Sequence, residues 1–213
     1  ALLAIMFIHY TFLYVKGKSP LQKFYLLVKC SFVPTVGVLH YVIKGGINTT
    51  MLLYFLMATL GDLFVHFNYF PIFACGGVTF GLSHLLAAKQ FGVDWSHVPK
   101  RALAAVLPFV IMHLVYALPQ FVGGGIKSAC FITYSFVIDF GATCASARLC
   151  YYPISSPTWI FCFLGYVFYI ISDTVLLKSH MRKDGKRYHY LVMGTYCTAQ
   201  VLISIGTALD TKP

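Results

Sequence analysis

Eight apolar runs, near 1–15, 26–43, 49–65, 72–91, 102–118, 126–147, 157–178 and 188–209, fill almost the whole chain. A helix that crosses a bilayer takes about 17–25 such residues. The links between runs are brief: Gly45-Gly46, the 66–71 stretch with Pro71, Gly123-Gly124-Gly125, and Pro153 to Pro157. Patterning of this kind predicts an all-α polytopic membrane protein. It is expected to be a single bundle of about eight transmembrane helices, with residues 1–213 forming one helical domain.

Composition excludes the main alternatives. Only 10% of residues are charged against 59% hydrophobic, and the six acidic residues are all Asp. A soluble domain of this size is about a quarter charged, so there is too little polar surface here to cover a water-soluble globule. The formal charge of +10 would point to nucleic acid in a soluble protein. Here the cations fall mostly between apolar runs, as in Lys16-Gly-Lys18, Lys100-Arg101 and Arg182 to Arg187, where lipid headgroups and topology rules account for them. No nucleic-acid partner is expected.

Lys16, Lys18, Lys23, Lys127, Arg182, Lys183, Lys186 and Arg187 lie on one side of the alternation, and Lys44, Lys100, Arg101, Arg148 and Lys212 on the other. The bias favours the first side in the cytoplasm, with both termini outside or luminal. The chain opens inside an apolar stretch with neither an initiator Met nor a basic leader region. No signal peptide is therefore read, and the natural N-terminus is expected to be missing or cleaved. Cys30, Cys75, Cys130, Cys144, Cys162 and Cys197 fall in apolar runs without a CxxC pair and read as small buried hydrophobes.

An ionisable side chain inside a span is costly, so each is a functional candidate. Asp62, Asp139 and Asp173 are the carboxylates of this kind. At about 1.5 Å per residue, Asp62 lies one turn from the end of the third run and Asp173 about 8 Å from the end of the seventh, on the same side. Tyr134, Tyr196 and His113 are expected in that layer, with His84 and Gln200 about 18 Å in. Gly165, Tyr169 and Asp173 share one helix face, as do Tyr196, Gln200 and Ser204. Gly77 and Gly81, four residues apart beside His84, predict close helix approach. Tyr134 and Asp139 lie about 140° apart around one helix, so Asp139 reads as a structural hydrogen-bond hub. His9, His40 and His113 read as packing residues rather than ligands.

The ordered segments Leu60-Gly61-Asp62, Phe80 to His84, Tyr134, Ser172-Asp173 and Tyr196 to Gln200 resemble the signature of the YhhN-type lysoplasmalogenases. The resemblance runs from about residue 50 to 209. The chain departs from the family pattern at Asp139 and Gly141, and at Ala87-Ala88, where an aromatic is usual. The resemblance implies hydrolysis of the vinyl-ether bond of lysoplasmalogens, giving a fatty aldehyde and a glycerophospho-alcohol. It implies Asp62 and Asp173 as catalytic residues, with His84, Tyr134, Ser172, Tyr196 and Gln200 binding substrate or supporting the site.

A carboxyl pair suits that chemistry. One protonates the vinyl carbon, and the other stabilises the resulting oxocarbenium ion and orients water, by analogy with glycosidases. The expected partners are a lysophospholipid substrate and membrane lipids, with no cofactor and no metal. The expected location is the endoplasmic reticulum membrane if the source is eukaryotic. Two alternatives stay open: a zinc-dependent intramembrane lipid hydrolase resembling alkaline ceramidases, and a non-catalytic lipid-binding or transport protein.

Overall fold

The computed structural model describes residues 20–67, 69–117, 125–182 and 185–210. The first apolar run, His9, Lys16, Lys18, Gly123, Gly124, Lys183 and Lys212 lie outside them. Among the described residues there are seven α-helices and no strand. They are α1 (Pro20–Lys44), α2 (Thr49–Phe64), α3 (Phe70–Phe91), α4 (Lys100–Ala117), α5 (Gly125–Ala147), α6 (Pro157–Arg182) and α7 (Gly185–Ala208). Single 3-10 turns at Trp95–His97 and Arg148–Cys150 complete the links.

Five of the seven are long and apolar enough to cross a membrane. The expected count of about eight is therefore not reproduced. The α2 helix is apolar but only 16 residues long; α4 opens on Lys100-Arg101 and holds Pro108 in its interior. Outward side chains are apolar, among them Val38, Val42, Val115 and Phe136, as expected of a surface that meets lipid.

Local chemistry sets the helix ends. Asn48 caps α2 by accepting from the Met51 N–H at 2.8 Å, which satisfies one of the orphan donors of a first turn. Pro71 sits in the first turn of α3, where a missing N–H costs nothing. Gly92 ends the same helix at φ +56°, a left-handed conformation that a Cβ disfavours.

Six helices close a ring in which each packs on the next: α1 on α2, α2 on α3, α3 on α5, α5 on α6, α6 on α7, and α7 back on α1. The α4 helix flanks this ring against α5 and α6. Glycines bring two of these pairs close together. A Cβ at Gly165 would stand 2.6 Å from Ile203 on α7, and one at Gly76 would stand 2.6 Å from Val65 and 2.9 Å from its backbone nitrogen. The close approach of α2 and α3 thus runs through Gly76, and through Gly61 against Phe80. Gly77 meets nothing within 4 Å, and Gly81 only touches Tyr134 and Val137. The expectation that Gly77 and Gly81 mark helix contact is corrected: both line an open space.

Two further expectations change. Of the cysteines, only Cys144 and Cys162 are buried, while Cys75 is exposed and Cys130 is exposed where it lines the cavity. Arg148 is no loop cation but fully buried. Its guanidinium donates to Asp210 at 2.8 Å and lies between the rings of Phe91 and Tyr152, 5.1 and 5.2 Å from their centroids. The Tyr152 hydroxyl also donates to Asp210. Lys44, counted on the same side as Arg148, donates to the Asp210 backbone carbonyl at 2.8 Å. This clasp joins the ends of α1, α5 and α7.

Candidate active site

Inside the ring lies a partly open cavity of about 1030 Å³, the upper end of the size range of ligand pockets. Every ring helix contributes to its wall and α4 contributes nothing. Its lining residues, Val65 to Phe73 at one end and Leu85 at the other on the α2–α3 side, place it in the half of the bundle nearest the α2–α3 link. Asp62, Tyr134, Ser172, Asp173 and Tyr196 all line it. The rest of the wall is largely apolar, with Phe70, Phe73, Val78, Leu82 and Leu176 among its members.

Each carboxyl group in the cavity has its own phenol. Tyr196 donates to Asp62 Oδ2 at 2.7 Å, and Tyr134 donates to Asp173 Oδ2 at 3.0 Å. Both acids are nearly fully buried, at 2% and 5% exposure. Because α6 continues to Arg182, Asp173 lies nine residues from its end, about 14 Å rather than about 8 Å. Asp62 stays third from the end of α2.

The two acids differ in their charged neighbours. Lys29 Nζ on α1 stands 3.6 Å from Asp62 Oδ1, whereas Asp173 has no ion-pair partner among the described residues. Lys29 was missed in the sequence, although it lies inside an apolar run and the rule that singled out the three Asp residues applies to it equally.

His84 and Gln200 do not line the cavity. Gln200 stands behind Tyr196: its amide donates to the Tyr196 hydroxyl at 3.1 Å while its carbonyl accepts from Tyr54 at 2.7 Å. Tyr54, Gln200, Tyr196 and Asp62 therefore form one chain of hydrogen bonds from the core to the cavity. His84 is enclosed by the rings of Tyr134, Tyr166 and Tyr169 at 6.1, 5.7 and 4.8 Å between centroids. Its Nδ1 is 3.4 Å from the Tyr166 hydroxyl. Ser172 lines the cavity, but its hydroxyl donates to the Val192 carbonyl on α7 at 3.1 Å.

His113 is fully buried. It sits on the flanking helix α4, and its Nδ1 lies 2.8 Å from Asp139 Oδ1. The contact ties α5 to α4, and neither residue lines the cavity. His40 Nδ1 lies 3.1 Å from the Ser204 carbonyl. Among the described residues no three His, Cys or Asp side chains converge as metal ligands.

A helical ring with five membrane-length spans, enclosing a largely apolar chamber lined by two carboxyl groups, is the architecture of an integral membrane protein. The model of the YhhN family matches residues 4–207, nearly the whole chain. The chain therefore belongs to the YhhN family, which is the lysoplasmalogenase family and is associated with hydrolase activity. No curated protein and no solved structure matches it.

Proposed function

We propose that this protein hydrolyses the vinyl-ether bond of lysoplasmenyl-ethanolamine or lysoplasmenyl-choline, releasing a fatty aldehyde and a glycerophospho-alcohol. The observation that carries this reading is the pair Asp62 and Asp173, which share one lipid-sized cavity while each accepts from a different tyrosine. The proposed partners are the lysophospholipid and the surrounding bilayer. For a eukaryotic source the proposed location is the endoplasmic reticulum membrane.

The chemistry divides between the two acids. Asp173, with no cation beside it, is the proposed acid. The Tyr134 hydroxyl occupies its Oδ2, which leaves Oδ1 to carry the proton delivered to the vinyl β-carbon. The resulting oxocarbenium ion is positively charged, and Asp62, held in place by Tyr196 and paired with Lys29, supplies negative charge and orients water. Water adds to the cation and gives up a proton to a carboxylate. The hemiacetal then collapses, its C–O bond breaking as the leaving alkoxide takes a proton. The balance is one water consumed for one aldehyde and one alcohol formed.

A preference for one-chain over two-chain lipids is part of the reading. It comes from the family and not from close packing at Gly77 and Gly81, since both of these face the cavity. The test is direct: purified protein in detergent is incubated with a lysoplasmenyl lipid and free aldehyde is measured. Turnover of the lysolipid but not of the intact plasmalogen supports the reading. Lipid binding without aldehyde release would favour a binding or transport protein.

A further inference from the structure

Resting on the lysolipid reading of this cavity, we propose that Lys29 is its phosphate-binding residue, which selects lipids bearing an anionic head group. Lys29 is the only Lys or Arg lining the cavity among the described residues. The remaining ionisable lining includes Asp62 and Asp173, and the charge of Asp62, the proposed carboxylate of the pair, repels a phosphodiester. An anionic head group entering this chamber therefore needs a fixed cation, and a largely apolar wall strengthens any such attraction.

The geometry leaves that cation available. The Lys29 side chain is 13% exposed, so its head is sheltered without being sealed off. Its approach to Asp62, at 3.6 Å, is long for an ammonium and a carboxylate. An ammonium has three donors, and this contact engages at most one of them. A phosphate oxygen bound there would sit next to Asp62. The glycerol backbone would then lie at the Asp62 end of the cavity and the alkenyl chain along the apolar wall of α3 and α5. Lys29 thereby fixes which end of the lipid faces which acid, and Asp62 keeps a lone ammonium neutralised when the cavity is empty.

The test uses lipids that cannot be cleaved, so that it is independent of catalysis. Binding of a 1-O-alkyl-glycerophosphoethanolamine and of the matching 1-O-alkylglycerol, which lacks phosphate, is measured on the full chain in detergent. The intact protein is expected to favour the phosphate-bearing lipid by about tenfold to a hundredfold, the range of a charge-assisted hydrogen bond. Lys29→Gln should reduce that ratio to within about twofold, and Lys29→Arg should keep most of it. Lys29→Met, which retains an apolar stem, serves if the glutamine variant does not fold. Asp62→Asn should raise affinity for the phosphate-bearing lipid several-fold by removing the competing carboxylate.

An undiminished ratio in Lys29→Gln or Lys29→Met would overturn the proposal, as would equal binding of both lipids by the unaltered protein. If aldehyde release fails while the ratio depends on Lys29, the hydrolase reading falls and the phosphate site stands. If aldehyde is released and the ratio ignores Lys29, the reverse holds.

Discussion

Arg148 and Asp210 lie 62 residues apart in sequence and meet at 2.8 Å, at the opposite end of the bundle from the carboxyl pair. Removing one member of a buried ion pair strands the other charge, at a cost of about 3–5 kcal/mol. Arg148→Ala should therefore lower the thermal unfolding midpoint in detergent sharply. The double variant Arg148→Met/Asp210→Leu should be less unstable than the sum of its singles. Additive losses would show that the pair is not coupled.

Asp62→Asn and Asp173→Asn should each cut aldehyde release by about 100-fold or more, since an amide has no transferable proton and general acid–base catalysis contributes roughly that much. Asp139→Asn should leave turnover within a few-fold and lower stability by about 1–3 kcal/mol, through its contact with His113. A dead Asp139→Asn beside an active Asp62→Asn would move the site to α4 and α5.

The phenols provide a finer test. Tyr196→Phe and Tyr134→Phe each remove one hydrogen bond to a carboxyl oxygen and leave the ring in place. Each is expected to slow turnover by about 10- to 100-fold, as for a bond to a charged group. Gln200→Leu should act through Tyr196 and have a smaller effect. Kinetics of the three variants on one lysolipid would show the order.

Outside the membrane, the turn after α3 has a pH signature. Asp94 accepts from the Ser96 hydroxyl at 2.6 Å, from the Ser96 N–H, and has His97 Nδ1 at 2.8 Å. The Ser96 hydroxyl foremost, with these other contacts, holds the Asp94 carboxyl down from 3.8 to about 2. A depressed carboxyl stabilises its turn above the unfolded value, and that contribution is lost as pH falls through about 2. Carboxyl carbon NMR shifts should report a midpoint near there, and Ser96→Ala should move it back up.

Seven of the eight apolar runs correspond to helices, with ends shifted by a few residues, because a chain in lipid must satisfy its backbone within each helix. Asp62 and Asp173 were legible as inward-facing residues for a related reason: an acid in a span is too costly to face lipid. Lys29 was not, because a long Lys stem can carry its head out to water, and sequence cannot tell that from turning inward. The Arg148–Asp210 contact joins two run ends through the fold alone, and no periodicity encodes it. Gly77 and Gly81 illustrate the converse: a small-residue stripe reads the same whether a helix or a cavity lies against it.

At 1.5 Å per residue, the 16 residues of α2 span about 24 Å against a hydrocarbon layer of about 30 Å. A helix that short draws the polar boundary of the bilayer inward or leaves a dimple over its end. Asp62 sits two residues from that end, beside the cavity. The proposed hydrolysis consumes water as well as lipid, and a short helix shortens the path from the aqueous phase to Asp62. Lengthening α2 by a turn of leucines would set that end farther from the membrane centre and shift Val65 and His66, which line the cavity just beyond it.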